Sequence, residues 1–364
     1  MDEKTVDNIN VKLYNLEKEQ RGQIMQLNII DIAKMAGCST ATVSRYFNSP
    51  DLISEKLRSR IETVVKEMNY QPNALARGLI TNETKSIGLI SPDINNVFYP
   101  AIIRGIEDYL QNFGYTAFVC NTDNNIAKEK HYINTYLEKR VDGLIFVGTR
   151  PNDQKKNEHI IQLSKKIPIV VISERLDTID DDIRLCCIYS EETNGAYDAV
   201  KYLINLGHKR IAFFTSKNDV STYVKKRLGY EKAMNEAGLQ INESDIYIEE
   251  PYAGGGYRAA LRMLANKERP SAVFAVSDQM AMGVIKAMHQ SGLSIPEDLS
   301  LVGFSGVSIS TDVFPELTTI DQEPYAMGAQ ASEMMLHLIK EKASECIYIP
   351  KEAKLILRDS CRAV

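Results

Sequence analysis

From Ser86 onward the chain repeats one pattern: a short apolar run, a polar turn, then a longer segment with apolar residues at helical spacing. SIGLISP, TAFVCNT, GLIFVGT, IPIVVIS, RIAFFTS and SAVFAVS are such runs, and YPAIIRGIEDYLQNFGY and NGAYDAVKYLINLGH are segments between them. A run that is apolar on both faces suits a strand covered by helices on both sides. Strands joined through such helices lie parallel, with right-handed crossovers. The fold class is therefore α/β, and the number of strands predicts two doubly wound parallel sheets in tandem. LTTIDQEPYAMGAQASEMML reads as a further strand, loop and helix, and AKLILRDSC as a last strand.

The residues before Ser86 follow a different rule. Ile29, Ile32, Ala33 and Met35 fall at helical spacing behind Asn28, a residue suited to capping, and Gly37 can end that helix in a left-handed conformation. Ser39 can cap a second helix in which Val43 and Phe47 turn inward, leaving Thr40, Ala41, Thr42, Ser44 and Arg45 outside. A helix entering a major groove needs such a small, polar, basic face. Ser54 opens a third helix, roughly 55–68, with Leu57, Ile61, Val64, Val65 and Met68 available to close a three-helix core. An extended NYQPN follows, because Pro72 disfavours helix at Gln71, and then a short ALARGLI that Asn73 can cap. So short a helix is marginal unless it folds against something else.

DIAKMAGCSTATVSRYFN, VVKEMNYQPNALARGL and SIGLI together resemble the lactose/galactose repressor family of bacterial transcription regulators, over a stretch from near Met25 to the C-terminus. The resemblance implies a DNA-binding repressor and not an enzyme. Thr40, Ala41 and Arg45 match the family's base-reading positions, and Thr42, Ser44, Asn48, Ser54, Tyr70 and Asn73 match positions that touch the DNA backbone. Leu79 matches the hinge-helix leucine that wedges into the minor groove. Arg45 is the strongest base reader, because its fork can pair with guanine. Leu57 departs from the family, which often has a phosphate-contacting threonine there.

The same resemblance implies an N-terminal all-α helix-turn-helix headpiece with a hinge helix, then a core like a periplasmic binding protein. The expected partition is an extension over 1–24, either disordered or not native, with Met25 as the natural start. A headpiece over 25–71 and a hinge helix and linker over 72–85 follow. The core, 86–364, divides into a first subdomain of about 86–189 plus 322–343 and a second of about 190–319 plus 345–362. Three crossings link the two, one near Ser190 and one near Thr319.

Charge agrees once it is localised. The 364 residues carry a formal net charge of -5. Between Met25 and Lys85, however, Lys34, Arg45, Lys56, Arg58, Arg60, Lys66, Arg77 and Lys85 outnumber Asp31, Asp51, Glu55, Glu62, Glu67 and Glu83. A mildly positive headpiece on an acidic core suits DNA binding by two headpieces acting together. The polar N-terminus does not read as a signal peptide and no apolar run reaches a membrane span, so a cytoplasmic protein is expected. Cys38, Cys120, Cys186, Cys187, Cys346 and Cys361 show no metal-ligand spacing, so free thiols, no metal and no cofactor are expected.

Ligands of open α/β sheets bind beyond the carboxyl ends of the strands. That rule selects Asp93, Asn96 and Phe98, then Ser173, Glu174 and Arg175, then Ser221 and Arg227, then Ser277 and Asp278, and finally Ser305. In sugar-responsive relatives an arginine matching Arg227 and polar groups matching Ser277 hold ligand hydroxyls, and an aromatic near Phe98 covers a sugar face. Ser305 departs from the aspartate that many relatives carry, and a hydroxyl cannot accept two hydrogen bonds as a carboxylate does. The expected partners are an inverted-repeat operator, a second copy of the chain and a sugar or sugar-phosphate effector. Regulation by a phosphocarrier protein is the alternative. With no heptad tail after the last strand, a dimer is expected. A sugar-binding transport component would share the core but not residues 28–80. A nucleotide-dependent enzyme is suggested only by Gly254-Gly255-Gly256, which does not follow a first strand as a dinucleotide fingerprint must.

Overall fold

The computed structural model describes residues 27–70, 83–179, 181–217, 220–341 and 344–364. It divides into two compact units, Met1–Thr84 and Lys85–Val364. Asn73, Leu79 and the 1–24 extension lie outside the described residues.

The first unit holds α1 (Ile29–Met35), α2 (Thr40–Asn48) and α3 (Glu55–Glu67). Asn28 caps α1 by accepting from the N–H groups of Ile30 and Asp31, and Asp31 returns a bond to the Asn28 N–H at 3.0 Å. Three N–H groups at the helix start are thus satisfied by the two side chains reciprocally. Gly37 sits at φ 57°, where a side chain is strained. Ser39 caps α2 through the Thr42 N–H at 3.2 Å. The sequence pattern does not reveal Arg60 of α3, which donates to the carbonyls of Ala36 and Gly37 at 2.6 and 2.8 Å and locks the turn from behind. Ile32, Ala33, Ala36, Val43, Ile61, Val64 and Tyr70 form the core of this unit.

In the second unit, residues 86–190 run through β1 (Ser86–Ser91), α4 (Phe98–Gln111), β2 (Thr116–Asn121), α5 (Ile126–Glu138) and β3 (Gly143–Phe146). They end with α6 (Glu158–Ser164), β4 (Ile169–Ile172) and β5 (Arg184–Ser190). The chain continues through α7 (Glu192–Asn205), β6 (Ile211–Thr215), α8 (Ser221–Glu236), β7 (Ile246–Ile248) and α9 (Ala253–Leu264). Next come β8 (Ala272–Ala275), α10 (Asp278–Gln290), β9 (Ser300–Ser305) and β10 (Thr318–Asp321). Helix α11 (Pro324–Glu341), β11 (Glu345–Lys351) and β12 (Lys354–Ile356) close it.

Two six-stranded sheets result, ordered β11-β5-β4-β3-β1-β2 and β12-β10-β9-β8-β6-β7. The first is parallel throughout, and in the second only β12 runs antiparallel. Both repeat one winding, so each has a switch point, between β1 and β3 and between β6 and β8. A crevice opens there beyond the carboxyl ends of the strands.

One boundary differs from the sequence reading. Strand β11 pairs with β5 in the first sheet, from Glu345 opposite Arg184 to Lys351 opposite Ser190, so it does not belong to the second subdomain. The last crossing therefore falls between Lys351 and Lys354, and only β12 joins the second sheet. The edge strand is half-exposed and interrupted by Pro350, so it lacks the solid apolar run that marks the interior strands.

The first sheet buries a cluster on each face, one including Ile87, Leu89, Ile145 and Val170, the other Leu144, Phe146, Ile169 and Val171. The second is centred on Phe213, Phe214, Phe274, Phe304 and Tyr230. Val307, on the loop after β9, packs into the first sheet's cluster, which ties the two subdomains together beside the crevice. Helices α4 and α11 cross so closely at Gly105 and Gly328 that a methyl group on either would meet the facing backbone. No helix among the described residues is long and apolar enough to cross a membrane.

Candidate functional site

Two sites emerge, one in each unit. On the headpiece, the outward side of α2 presents exposed Thr40, Ala41 and Arg45. Thr42 is tied to the Ser39 hydroxyl at 2.9 Å, and the Asn48 amide donates to the Ser44 hydroxyl at 3.3 Å, which fixes the polar margin of that face. Ser54 precedes α3 in extended conformation, but its side chain caps nothing. Tyr70 is 8% exposed, tilted against Phe47 with ring centroids 6.1 Å apart. Its ring is part of the headpiece core, off the exposed α2 face. Leu57 is half-buried against the same core, which accounts for an apolar residue at that position.

The second site is the crevice between the subdomains. Glu174, just after β4, accepts from Lys225 at 2.8 Å and from the Ser221 hydroxyl, both on α8. Tyr252, ahead of α9, donates its hydroxyl to Asp93 after β1. The Gln279 amide of α10 donates to the Asn95 carbonyl at 3.3 Å. Ser221 N–H donates to the Arg150 carbonyl at 3.2 Å, beside an antiparallel bridge between Pro151 and Val220. Each of these contacts joins a loop of the first subdomain to a loop or helix of the second.

Deeper in, Glu192 opens α7 and is 4% exposed. It accepts from the Thr222 hydroxyl at 2.5 Å and lies 3.7 Å from Lys226. Lys226 donates to the Val276 carbonyl at 3.0 Å and sits 3.8 Å over the Phe304 ring. Burial pulls the Lys226 ammonium below its ordinary pKa, against the opposing fields of Glu192 and Asp278. Beside the crevice, Arg150 holds Glu129 through two bonds, and His159 reaches the same carboxylate at 2.7 Å. Burial would raise Glu129, but these partners outweigh it and bring it to about 2. A cavity of about 170 Å³ borders this group, lined in part by Thr122, Asn125, Thr149 and Val220.

The eleven candidates for effector contact separate clearly. Asp93, Ser173 and Ser221 stand at the crevice with Glu174. Asn96 accepts from the Phe98 N–H at 3.1 Å. Ser277 caps α10 through the Met280 N–H and donates to the Pro251 carbonyl at 2.7 Å, so its hydroxyl is occupied. Asp278 braces Thr319 and accepts from the Val307 N–H at 3.0 Å, and burial raises it to about 6 against those bonds. Ser305 is buried at the end of β9, at φ 129°. Phe98 is 6% exposed and packs in the first subdomain's core.

Two arginines turn away. Arg175 is exposed, paired with Asp177 at 2.7 Å and stacked over Tyr348. Arg227 pairs with Glu231 at 2.6 Å and Glu243 at 3.2 Å on the outer side of α8. One residue along a helix is a rotation of about 100°, and it is Lys226 that faces inward. The sequence does not show Glu192 because β5, which places it, carries paired cysteines instead of a solid aliphatic run, and it does not show Lys226 because the phase of α8 is not legible in it.

The remaining sequence leads have structural roles. Gly255 and Gly256 lie within α9, packed against the Glu250 and Met280 backbone. His208 bonds Ser271 at 2.8 Å and the Arg362 carbonyl at 3.2 Å. The six cysteines are free thiols, and no cluster of three metal-binding side chains exists among the described residues.

Residues 28–73 match the family described as bacterial regulatory proteins, lacI family, and residues 200–361 match a periplasmic binding protein-like domain. The HTH-type transcriptional regulator RegA of Clostridium saccharobutylicum is 35% identical over 337 residues, 92% of this chain and 99% of that one. Catabolite control protein A of Priestia megaterium is 33% identical over 340 residues, 93% of this chain and all of the other. The lac repressor dimer bound to operator and the anti-inducer ONPF superposes with a TM-score of 0.80 at 25% identity, covering 93% and 99% of the two chains. Headpiece, paired sheets and matches over nearly the whole length agree: the chain belongs to the lacI family of bacterial DNA-binding transcriptional repressors.

Proposed function

We propose that two copies of this chain bind an inverted-repeat operator as a cytoplasmic homodimer. They repress carbohydrate-utilisation genes under the control of a small sugar-like effector held in the crevice. The observation that carries the reading is that four of the five buried side-chain polar atoms without partners among the described residues gather at strand ends: the hydroxyls of Ser91 and Ser173, Glu192 Oε2 and Gln279 Oε1, the fifth being Gln330 Oε1 on α11. All four residues sit at or just beyond the carboxyl ends of β1, β4, β5 and β8. Buried polar atoms are normally satisfied, and a polyhydroxyl ligand is the kind of molecule that would satisfy these.

Asp93, Ser173, Glu174 and Ser221 are the sequence-selected residues that we assign to effector contact, joined by Glu192 and Gln279. Thr40, Ala41 and Arg45 read bases, while Thr42, Ser44, Asn48 and Ser54 position the helix on the phosphates. The contacts between the subdomains supply the coupling. A ligand that binds the closed crevice better than the open one shifts that equilibrium, and operator affinity must shift by the same factor.

Fluorescence anisotropy of the full chain on a palindromic operator, at fixed salt and with a panel of sugars, tests this. Operator affinity that changes with one compound supports the reading. Tight binding indifferent to every compound, but altered by a phosphocarrier protein, overturns the small-molecule part.

A further inference from the structure

We infer that the crevice takes a polyhydroxyl ligand that carries a protonated amine and no phosphate, with the ammonium held by Glu192. The inference rests on the reading of the crevice as an effector site and specifies the chemistry of its occupant.

The unsatisfied atoms set the polarity of the ligand. Glu192 Oε2 and Gln279 Oε1 are acceptors only, the Gln279 assignment being fixed by its amide nitrogen donating to the Asn95 carbonyl at 3.3 Å. The other two, Ser91 and Ser173, are hydroxyls, which can both donate and accept. A ligand must therefore bring donors. Glu192 is the demanding member, because it is a carboxylate at 4% exposure with one oxygen wholly unpartnered.

The cations packed closest to Glu192 do not supply that need and are engaged elsewhere, while the exposed Lys156 and Lys217 stand further out, at the cavity lining and beyond β6. Lys226 approaches only the other side of Glu192, at 3.7 Å, and is engaged by the Val276 carbonyl and the Phe304 ring. Lys225 is held by Glu174 at 2.8 Å. Arg150 is saturated by Glu129 and Asn157, whose amide oxygen it reaches at 3.1 Å. Arg175 and Arg227 are paired away from the crevice. Against Lys225 and Lys226 stand Asp93, Glu174, Glu192 and Asp278. A phosphate dianion entering here would meet carboxylates without a free guanidinium fork, whereas an ammonium would find a desolvated carboxylate oxygen. The contact between a buried carboxylate and a ligand ammonium is a charge-assisted hydrogen bond, the strong kind.

The test is calorimetric titration of the full chain with glucosamine, galactosamine and mannosamine. Each is compared with its parent hexose, its N-acetyl derivative and its 6-phosphate, and operator anisotropy is recorded in parallel. At least one hexosamine is expected to bind tenfold or more tighter than its parent. N-acetylation, which removes the charge, and 6-phosphorylation should each abolish the gain. Glu192→Gln should erase the preference for the amine over its parent hexose, and the wild-type comparison stands even if that variant folds poorly. A neutral hexose or a hexose phosphate that binds tightly and shifts operator affinity, with the amines inert, overturns the inference and leaves the effector reading intact. No response to any compound in either assay overturns both.

Discussion

The reading face of α2 and the crevice between the subdomains are both binding sites, yet they are built in opposite ways. Thr40, Ala41 and Arg45 lie on nine consecutive residues of one helix, which Ser39 caps locally. The crevice draws Glu174, Glu192, Lys226, Tyr252 and Gln279 from elements far apart in sequence, and each side chain's direction depends on its neighbours across the gap. A local site tolerates an error in the fold around it. A site assembled from strand ends does not, because one residue of helical phase moves a charge from the ligand side to the solvent side.

Lys226 and Arg227 make that contrast measurable. Lys226→Met should leave Glu192 buried without a counter-charge and destabilise the core by roughly 3–5 kcal/mol. Arg227→Ala removes a half-exposed pairing with Glu231 and Glu243 and should cost under about 1 kcal/mol. Thermal unfolding of the two variants decides the matter. Equal losses would mean that the phase of α8 is wrong and that the two positions are interchangeable.

Asp278 gives the next largest effect, and it appears in pH. Burial raises its carboxyl from 3.8 to about 6, so between those values the unfolded chain gives up its proton more readily than the folded one. Its contribution is fully present below about 4 and is lost as pH rises through about 6, amounting to as much as about 3 kcal/mol at roughly 1.4 per unit. His208, lowered by burial, acts in the opposite sense across part of the same range. The difference between wild type and Asp278→Asn therefore isolates the carboxyl. The wild type should gain melting temperature relative to the variant on going from pH 7 to pH 5, and parallel curves would place Asp278 in water.

What could be read in advance follows from the same division. Solid apolar runs marked the interior strands β1, β3, β4, β6 and β8, because strands covered on both faces need continuous apolar residues. Strand β7, only three residues long, and the edge strand β11 lack that run, so the sequence pattern does not show that β11 pairs in the first sheet. Strand β5 reads as Arg-Leu-Cys-Cys-Ile-Tyr-Ser, in which paired cysteines take the place of the usual aliphatics. Missing it hid Glu192. Ser277 and Asp278 were rightly placed at a strand end, but a hydroxyl at such a position serves equally well as a helix cap. Only the partner atoms distinguish the two uses.

On the headpiece the effects should be smaller and separable. Arg45→Ala should weaken specific operator binding by about 1–3 kcal/mol and nonspecific binding by less, with no change in unfolding, because the side chain is exposed and its work is external. Equal losses on specific and random DNA would reduce Arg45 to a phosphate contact.

Asn28→Ala should act by the other route. It removes the acceptor for the Ile30 and Asp31 N–H groups and frees Asp31 from the reciprocal bond, a loss of about 1 kcal/mol for a helix cap. No DNA-facing group is touched, so specific and nonspecific binding should fall together, and only as far as the headpiece population falls. Hydrogen exchange at the Ile61 and Val64 amides, in the core that α1 helps to close, reads that population directly. If exchange accelerates at those amides while the ratio of specific to nonspecific affinity holds, the reading face and its scaffold are separate, and the face was legible because its scaffold is local. A changed ratio would mean that the cap also sets the angle of α2, and that even this short site depends on contacts its own helix does not contain.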